Sequence, residues 1–184
     1  MYPTNRQDNE IDFDDDYVAE EREQYLTFNL GGEVFAISIL SIREIIEYTQ
    51  LTVVPMMPSY IRGVINLRGS VVPVVDLLAR FGQGSTEPKH RTCVVIVEVS
   101  GEHGVQELGV LVDAVNEVLE IPAADVEPPP SFGVRIRNEF ISGMGKIGDR
   151  FVILLDVGHT LAVADLAGLT GQASHASQDL ALAA

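Results

Sequence analysis

The chain has 184 residues, of which 46% are hydrophobic and 21% are charged, which is enough apolar surface for one domain or two small fused ones. Its formal net charge of −15 argues against a protein that binds nucleic acid or an anionic membrane through a basic face. Cys93 is the single cysteine, which excludes an internal disulfide and a cysteine metal cage, and we expect its thiol to be buried.

The first segment of the chain is strongly acidic. Residues 1–24 carry nine acidic residues against two arginines, and Asp14, Asp15 and Asp16 follow one another directly. Such a run repels itself and buries little apolar surface, so we predict a disordered acidic tail over residues 1–22. The segment lacks the basic start and apolar run of a signal peptide, and no stretch approaches the ~18 apolar residues of a membrane span. These features predict a cytoplasmic protein without direct membrane insertion.

The next two predicted strands form a hairpin that recurs later in the chain. Residues 26–30 alternate apolar and polar side chains, as a half-buried strand does, and a Gly-Gly turn leads to the apolar residues 34–37. Residues 95–99 match the first strand 69 positions later, and residues 108–112 return after a longer glycine-containing turn. The sequence therefore predicts the same hairpin twice.

The repetition continues through the rest of both halves. Residues 44–47 match the segment 73 positions later, and residues 61–63 and 71–76 match the segments 80 positions later. Because the order is kept while the offset grows, we interpret the chain as a duplicated module of about 70 residues. Short strands between Gly and Pro turns indicate small β-barrels. We predict an all-β fold of two pseudo-repeated barrels with a few short helices, stabilised across a common apolar seam.

Few segments of the chain have the spacing of a helix. The most informative ones follow two aspartates. Asp76 and Asp156 each end an apolar strand, so they could cap short helices or share a proton, as the two carboxylates of an aspartic protease do. The protease pattern Asp-Thr-Gly is absent and the lobes are small, so we favour caps. Two sets of residues have the spacing of one helical turn: Ile42, Ile45 and Ile46 in the first half, and Leu77, Leu78 and Phe81 after the first aspartate.

Other residues with catalytic or metal-binding potential are scattered. His90, His103, His159 and His175 show no metal-ligand spacing, and no Gly-rich phosphate loop occurs. We therefore expect no enzyme activity, no metal and no cofactor. A nucleic-acid-binding barrel is a further alternative, opposed by the acidic core and by the lack of an aromatic and basic face. The Ala, Ser and Gln content of residues 166–184 predicts a flexible C-terminal tail.

The most specific pattern in the chain covers residues 54–77. They read VPMMPSYIRGVINLRGSVVPVVDL, and the second half agrees with GVLVDAVNEV at residues 109–118 and ISG at residues 141–143. This series closely resembles the signature of the CheW family, the coupling proteins of bacterial chemosensory arrays, over a predicted domain of residues 23–165. The resemblance implies two five-stranded SH3-like barrels packed together, with strand exchange between the halves.

The resemblance also implies a function. Members of the family are non-catalytic scaffolds that join the cytoplasmic tips of methyl-accepting chemoreceptors to the regulatory domain of the histidine kinase CheA, itself a related double barrel. The implied location is the receptor cluster at the inner face of the membrane. The chain has no room for a kinase core or a receiver domain, which favours the stand-alone form. A specialised adaptor that recruits other proteins to the array is the alternative interpretation.

Arg68 is the first residue to which the resemblance assigns partner binding. It lies between Leu67 and Gly69 in a predicted tight turn, where an ordinary exposed side chain contributes within about half a kcal/mol of stability. The family's signature arginine helps to bind receptors, and a guanidinium held between two apolar strands suits directional recognition. In the family an acid of the preceding segment lies nearby, so the resemblance implies a Glu44–Arg68 pair that orients the site.

Ile42, Gly63 and Val118 align with further family positions that contact partners. Ile42 and Val118 also have the spacing of ordinary core residues, so the core and interface interpretations are equally open for them. A turn or the close packing of two strands would also explain Gly63.

Overall fold

The structure is a computed structural model that describes residues 20–101, 104–131 and 135–161. Apart from residues 20–22, the predicted tails at residues 1–22 and 166–184 lie outside the described residues.

Eleven β-strands and two short α-helices make up the described part of the chain. In the first half they are β1 (Arg22–Leu30), β2 (Glu33–Ser38), β3 (Ile42–Glu47), β4 (Ile61–Leu67), β5 (Ser70–Asp76) and the helix α1 (Leu77–Arg80). In the second half they are β6 (Cys93–Gly101), β7 (Gly104–Val112), β8 (Ala114–Pro122), β9 (Val126–Glu127), β10 (Ile141–Ile147), β11 (Arg150–Leu155) and the helix α2 (Val157–Leu161). Single turns of 3-10 helix occupy Ile39–Ser41, Ala123–Asp125 and Asn138–Phe140.

The strands form two sheets, and each sheet takes strands from both halves of the chain. Barrel 1 has the strand order β3-β6-β7-β5-β4, and barrel 2 has the order β8-β1-β2-β11-β10-β9. The hairpin β6–β7 from the second half completes barrel 1, while the hairpin β1–β2 from the first half completes barrel 2. The prediction of two packed barrels with exchanged strands is confirmed, and barrel 2 carries an additional two-residue strand, β9.

The two barrels repeat one another in strand register. A parallel pair joins the exchanged hairpin to the rest of each barrel, β5 with β7 and β11 with β2. The β4–β5 register shifts between Ile61 and Gly63, and the β10–β11 register shifts between Ile141 and Gly143, 80 positions later. Even the short strand β9 has a counterpart, because Thr52 forms an isolated bridge to β4. The repeat seen in the sequence is therefore a structural duplication.

Strand β6 is buried on both faces because it lies between two hydrophobic layers. Val94 and Ile96 pack in the interior of barrel 1, while Val95, Val97 and Val99 pack in the seam between the barrels. All five side chains are at most 4% exposed, so the position of the strand explains its continuous apolar run.

The expectation of a half-buried strand at residues 26–30 was wrong, because strand β1 is buried on both faces there. Leu26 and Phe28 belong to the seam, and Thr27 between them is only 2% exposed. The Thr27 hydroxyl donates to the carbonyl oxygen of Glu117 at 2.8 Å and accepts from the Glu117 amide at 3.2 Å. This contact lies where β1 and β8 shift register, so the hydroxyl satisfies backbone groups at the irregularity.

The seam is the largest of the three hydrophobic clusters found among the described residues. A chain of ring contacts runs through it, from Phe28 to Phe35 at 6.2 Å, on to Phe81 at 6.0 Å, and on to Phe140 at 5.9 Å. Burial of one such side chain contributes about 1.5–3 kcal/mol. The predicted stabilisation of the two halves across a common seam therefore agrees with the packing.

One of the two predicted helical turns forms and the other does not. The turn after the first aspartate is α1, as predicted. Ile42, Ile45 and Ile46 lie instead in strand β3, whose pairing with β6 shifts register between Ile42 and Glu44. The extra residue interrupts the two-residue alternation, so Ile42 packs against the seam while Ile46 packs against the interior of barrel 1. The bulge in β3 therefore explains why these three isoleucines have the spacing of a helical turn.

Candidate functional site

Arg68 and Gly69 form the two-residue turn between β4 and β5. Their φ angles of 52° and 88° are both positive, the combination of a type I′ hairpin turn. The Gly69 amide donates to the side-chain oxygen of Asn66 at 2.9 Å, which holds the turn closed. Glycine adopts the left-handed region freely, whereas a residue with a side chain, as at Arg68, loses about 1–2 kcal/mol there. The predicted tight turn is present. Arg68 is the first of its two residues, and its positive φ angle is unfavourable for a residue with a side chain.

The Arg68 side chain extends from this turn to strand β3. Its Nη2 donates to both carboxylate oxygens of Glu44, at 2.6 Å and 2.7 Å. The arginine side chain is 67% exposed and the glutamate side chain 25% exposed. The structure therefore contains the Glu44–Arg68 pair that the resemblance implied. An exposed pair of this kind contributes only about 0–1 kcal/mol, which does not outweigh the strain of the turn.

Sequence reasoning did not identify Arg43, the neighbour of Glu44 in β3. Glu98 in β6 and Glu107 in β7 lie directly opposite one another, an arrangement in which like charges repel. Arg43 bridges them, because its Nη1 donates to Glu98 and its Nε lies 3.2 Å from a Glu107 oxygen. The hydrogen bond to Glu98 is the main cause of a raised pKa of Arg43, and the charges of Glu107 and Glu44 add to it.

These charged groups form a single feature of barrel 1, because Glu44 interacts electrostatically with Arg43 and pairs with Arg68. We call it the charged strip, which consists of Arg43, Glu44, Arg68, Glu98 and Glu107. Two guanidinium groups are fixed there by carboxylates from neighbouring strands while remaining at least half exposed. The strip can therefore present directional hydrogen-bond donors to a partner.

The other three predicted site residues have different surroundings. Ile42 is half-buried and packs against the seam, whereas Val118 in β8 of barrel 2 is 52% exposed. Gly63 is buried, and a Cβ atom there would lie 2.6 Å from the carbonyl oxygen of Thr52. Close strand packing therefore excludes a side chain at Gly63. Four of the predicted site residues belong to barrel 1, and Val118 belongs to barrel 2.

The two strand-ending aspartates have local structural roles. The Asp76 side chain is fully buried, and its Oδ2 accepts from Arg62 at 3.0 Å and from the Thr86 amide at 2.8 Å, while Oδ1 accepts from an amide of α1 at 3.1 Å. Asp156 Oδ1 accepts from the His159 amide at 2.9 Å at the start of α2. Both residues cap the following helix, as predicted, and both carboxylates are engaged in these contacts.

His159 also forms an ion pair with Asp156, with 3.0 Å between Nδ1 and Oδ2. The hydrogen bond to the carboxylate, with its charge, raises the pKa of His159 above the usual 6.5. Burial alone would raise the pKa of Asp156, but the hydrogen bonds from the backbone and side chain of His159 together outweigh burial and lower it below 3.8. The pair is therefore a pH-dependent contact at the start of α2.

The described residues contain no group of three or more His, Cys, Asp or Glu side chains arranged to hold a metal ion. Within the same residues, no helix has the length and apolar character needed to cross a membrane. The expectation of a buried Cys93 was wrong, because this residue begins β6 at the edge of the packed core and is half-buried. Its Sγ lies 3.4 Å from the carbonyl oxygen of Arg91.

Known proteins are similar in sequence to this chain over most of their length. The sequence model of the CheW-like domain matches residues 24–165. The chain is 35% identical over 145 residues to the chemotaxis protein CheW of Klebsiella aerogenes, covering 79% of this chain and 85% of that protein. It is 36% identical over 138 residues to the chemotaxis protein CheW of Helicobacter pylori, covering 75% of this chain and 81% of that protein.

A solved structure agrees at the level of the fold. The crystal structure of the scaffolding protein TtCheW from Thermoanaerobacter tengcongensis aligns with a TM-score of 0.67 and 34% sequence identity, covering 74% of this chain and 86% of that chain. Sequence and fold therefore agree over most of each protein. The chain belongs to the CheW family of chemotaxis scaffold proteins, which are adaptors and not enzymes.

Proposed function

We propose that the chain couples the cytoplasmic tips of chemoreceptors to the histidine kinase CheA at receptor clusters in the cytoplasm. The observation that carries the proposal is the exposed Glu44–Arg68 pair at the β4–β5 turn, in a chain of this family. The pair fixes a guanidinium above the surface of barrel 1, where it can recognise carboxylates and carbonyl oxygens directionally.

The backbone of Arg68 supports a recognition role. Glycine or asparagine would adopt its φ of 52° more easily, and a two-residue hairpin turn has no need of an arginine. Strained residues cluster at sites that contact partners or ligands. We therefore assign Arg68 to receptor contact and Glu44 to the orientation of its guanidinium.

We propose that the partner of this pair is helical. A receptor tip that is a helical hairpin would dock where apolar contacts are rimmed by polar groups. Arg68 and Glu44 supply the polar rim, Ile42 lies at the seam, and Val118 adds an exposed apolar contact on barrel 2. Gly63 contributes through shape, because its missing side chain lets β4 approach Thr52.

The proposed kinase contact uses an apolar surface of a barrel end. Val34 and Phe151 of barrel 2 are 39% and 49% exposed, and they line one groove together with Leu119 and Ile147. A related double barrel in the regulatory domain of CheA would bury such a surface. A single contact of this kind is weak, and repeated contacts in an array strengthen it.

The proposal is tested by asking which partners the purified chain retains. A receptor cytoplasmic fragment and CheA are offered separately and together, and kinase activity is measured in the mixture. Retention of both partners with receptor-dependent kinase activation supports the proposal. Retention of only one supports a specialised adaptor, and retention of neither contradicts both interpretations.

Charge reversal at Arg68 tests the assigned site. In Arg68→Glu we expect loss of receptor-dependent kinase activation with little change in the melting temperature, because the side chain is mostly exposed. Arg91→Glu, which reverses another exposed arginine in the loop before β6, is the control. Normal coupling by a folded Arg68→Glu variant would show that Arg68 is only a turn residue.

A further inference from the structure

Arg80, the last residue of α1, lies between aromatic side chains that belong to different barrels. Its Cζ lies 4.7 Å from the ring centroid of Tyr60 and 5.4 Å from that of Phe140. Tyr60 precedes β4 of barrel 1, and Phe140 precedes β10 of barrel 2, 80 positions later. The two are structurally equivalent, because their carbonyl oxygens accept the amides of Asp76 at 2.7 Å and Asp156 at 2.9 Å. One cation therefore contacts matching positions of the two barrels.

A hydrogen bond adds a second link to barrel 2. The Arg80 Nε donates to the carbonyl oxygen of Thr160 in α2 at 3.0 Å. The Thr160 hydroxyl in turn donates to the carbonyl oxygen of Phe140 at 3.3 Å. Arg80 itself follows β5 and is attached to barrel 1 through α1, which packs on β5 and β7. The guanidinium thus joins Tyr60 of barrel 1 to two segments of barrel 2 that already contact one another.

The described side chains that form the surrounding seam are mostly apolar. Apolar burial stabilises association without fixing an angle, because it depends on the area removed from water. A planar guanidinium stacked on rings and donating from Nε has preferred directions, so it favours one orientation. We propose that Arg80 is a positioning residue that sets the orientation of barrel 1 relative to barrel 2. We call Arg80 with Tyr60, Phe140 and Thr160 the inter-barrel clamp.

The expected effect of the inter-barrel clamp on partner binding rests on the proposed function. The assigned receptor surface includes Arg68 and Glu44 on barrel 1 and Val118 on barrel 2, so its geometry depends on the angle between the barrels. The assigned kinase groove is formed by barrel 2 alone. Loss of the clamp therefore weakens receptor binding more than kinase binding, which a general loss of stability would not do.

Orientation is measured directly from residual dipolar couplings of backbone amides in both barrels. In the wild type we expect one alignment tensor to fit both barrels in the orientation described here. In Arg80→Met, which keeps a long apolar stem without the cation and its donors, we expect the couplings of the two barrels to require different tensors. Arg80→Lys, which keeps the charge without the planar group, should fall between these results.

Arg137→Met is the matched control. Arg137 also lies over the Phe140 ring, at 5.9 Å, but it pairs with its neighbour Glu139 and has no described contact with barrel 1. One tensor should still fit this variant. An unchanged single tensor in a folded Arg80→Met variant would overturn the proposal, as would equal effects of Arg80→Met and Arg137→Met.

Binding supplies the second measurement. For Arg80→Met we expect affinity for a receptor cytoplasmic fragment to fall about fivefold to tenfold, with affinity for the CheA regulatory domain almost unchanged. Equal losses for both partners would overturn the positioning role. If the wild type binds no receptor fragment, the proposed function fails, and the dipolar couplings still decide whether Arg80 orients the barrels.

Discussion

The side chain and the backbone of Arg68 have opposite effects on stability. The side chain forms an exposed pair with Glu44, which contributes about 0–1 kcal/mol, while the positive φ angle is unfavourable by about 1–2 kcal/mol. The residue is therefore better explained by a contact that the isolated chain does not make.

Arg68→Asn separates these effects, because asparagine tolerates the left-handed region and lacks the guanidinium. We expect the free energy of unfolding, measured by urea denaturation, to stay equal or to rise by about 1 kcal/mol. Receptor binding should fall in the same variant. A clear loss of stability relative to Arg91→Asn would mean that the pair outweighs the strain.

The contact between His159 and Asp156 makes stability depend on pH. The raised pKa of His159 means that its contribution is fully present below pH 6.5 and is lost as the pH rises through the folded value. The lowered pKa of Asp156 means that its contribution is present above pH 3.8 and is lost as the pH falls through the folded value.

The contact between His159 and Asp156 therefore contributes most to stability between pH 3.8 and pH 6.5. We expect the difference in unfolding free energy between the wild type and His159→Gln to be larger at about pH 5.5 than at about pH 8.5. Chemical denaturation at both values measures the difference, and equal differences would contradict the assigned titration.

At the scale of elements, the strand–aspartate–helix unit occurs twice with different surroundings. The Asp76 side chain is fully buried and pairs with Arg62, while the Asp156 side chain is 36% exposed. The same local cap is therefore part of a buried polar network in one half only.

This difference predicts unequal costs for equivalent substitutions. Asp76→Ala should lower the free energy of unfolding by about 3–5 kcal/mol, because it leaves the buried partners of the carboxylate unsatisfied. Asp156→Ala removes mainly a helix cap and should cost about 0.5–2 kcal/mol. Denaturation of both variants provides the comparison, and equal losses would show that the burial of Asp76 is unimportant.

Arg43 stabilises the pairing of β6 with β7, where Glu98 faces Glu107. We expect Arg43→Met to lower the melting temperature, and a second change, Glu107→Gln, to recover part of the loss by removing the repulsion. Added salt should reduce the effect of the single change, because it screens exposed charges. If Glu107→Gln lowers stability further in the Arg43→Met background, repulsion is not the cause.

Local patterns in the sequence were sufficient for the caps, the hairpins and the β4–β5 turn, because each depends on a few neighbouring residues. The bulges were not visible, since one inserted residue changes the face of every later side chain. Ile42, Ile45 and Ile46 were assigned to a helical turn for this reason. The bridge from Arg43 to Glu98 and Glu107 was missed because it requires the register of three strands.

At the scale of the whole molecule, the sequence showed the duplication but could not show which hairpin completes which barrel. Strand β6 is apolar and buried on both faces, so its sequence pattern does not distinguish the barrel interior from the seam. The exchange of strands came from the family resemblance. Of the candidate site, the Glu44–Arg68 contact was anticipated in the same way, while the exposure of Val118 required the structure.

Strand exchange predicts that the two halves do not fold separately. A cut after Gly84, in the loop between α1 and β6, separates each barrel from one of its hairpins. We expect fragments 20–84 and 85–161 to lack dispersed amide resonances when alone and to regain the native spectrum when mixed. A fragment that folds alone would contradict the interdependence of the halves.

The parallel pairing of β2 with β11 also has a consequence during synthesis on the ribosome. Barrel 1 is made from the continuous stretch of residues 42–112, so all its strands are available once that stretch has emerged. Hairpin β1–β2 emerges before this stretch, yet its pairing partners β8 and β11 are translated after it. We therefore expect cotranslational folding to begin with barrel 1, while the apolar faces of hairpin β1–β2 stay uncovered until β8 and β11 have emerged.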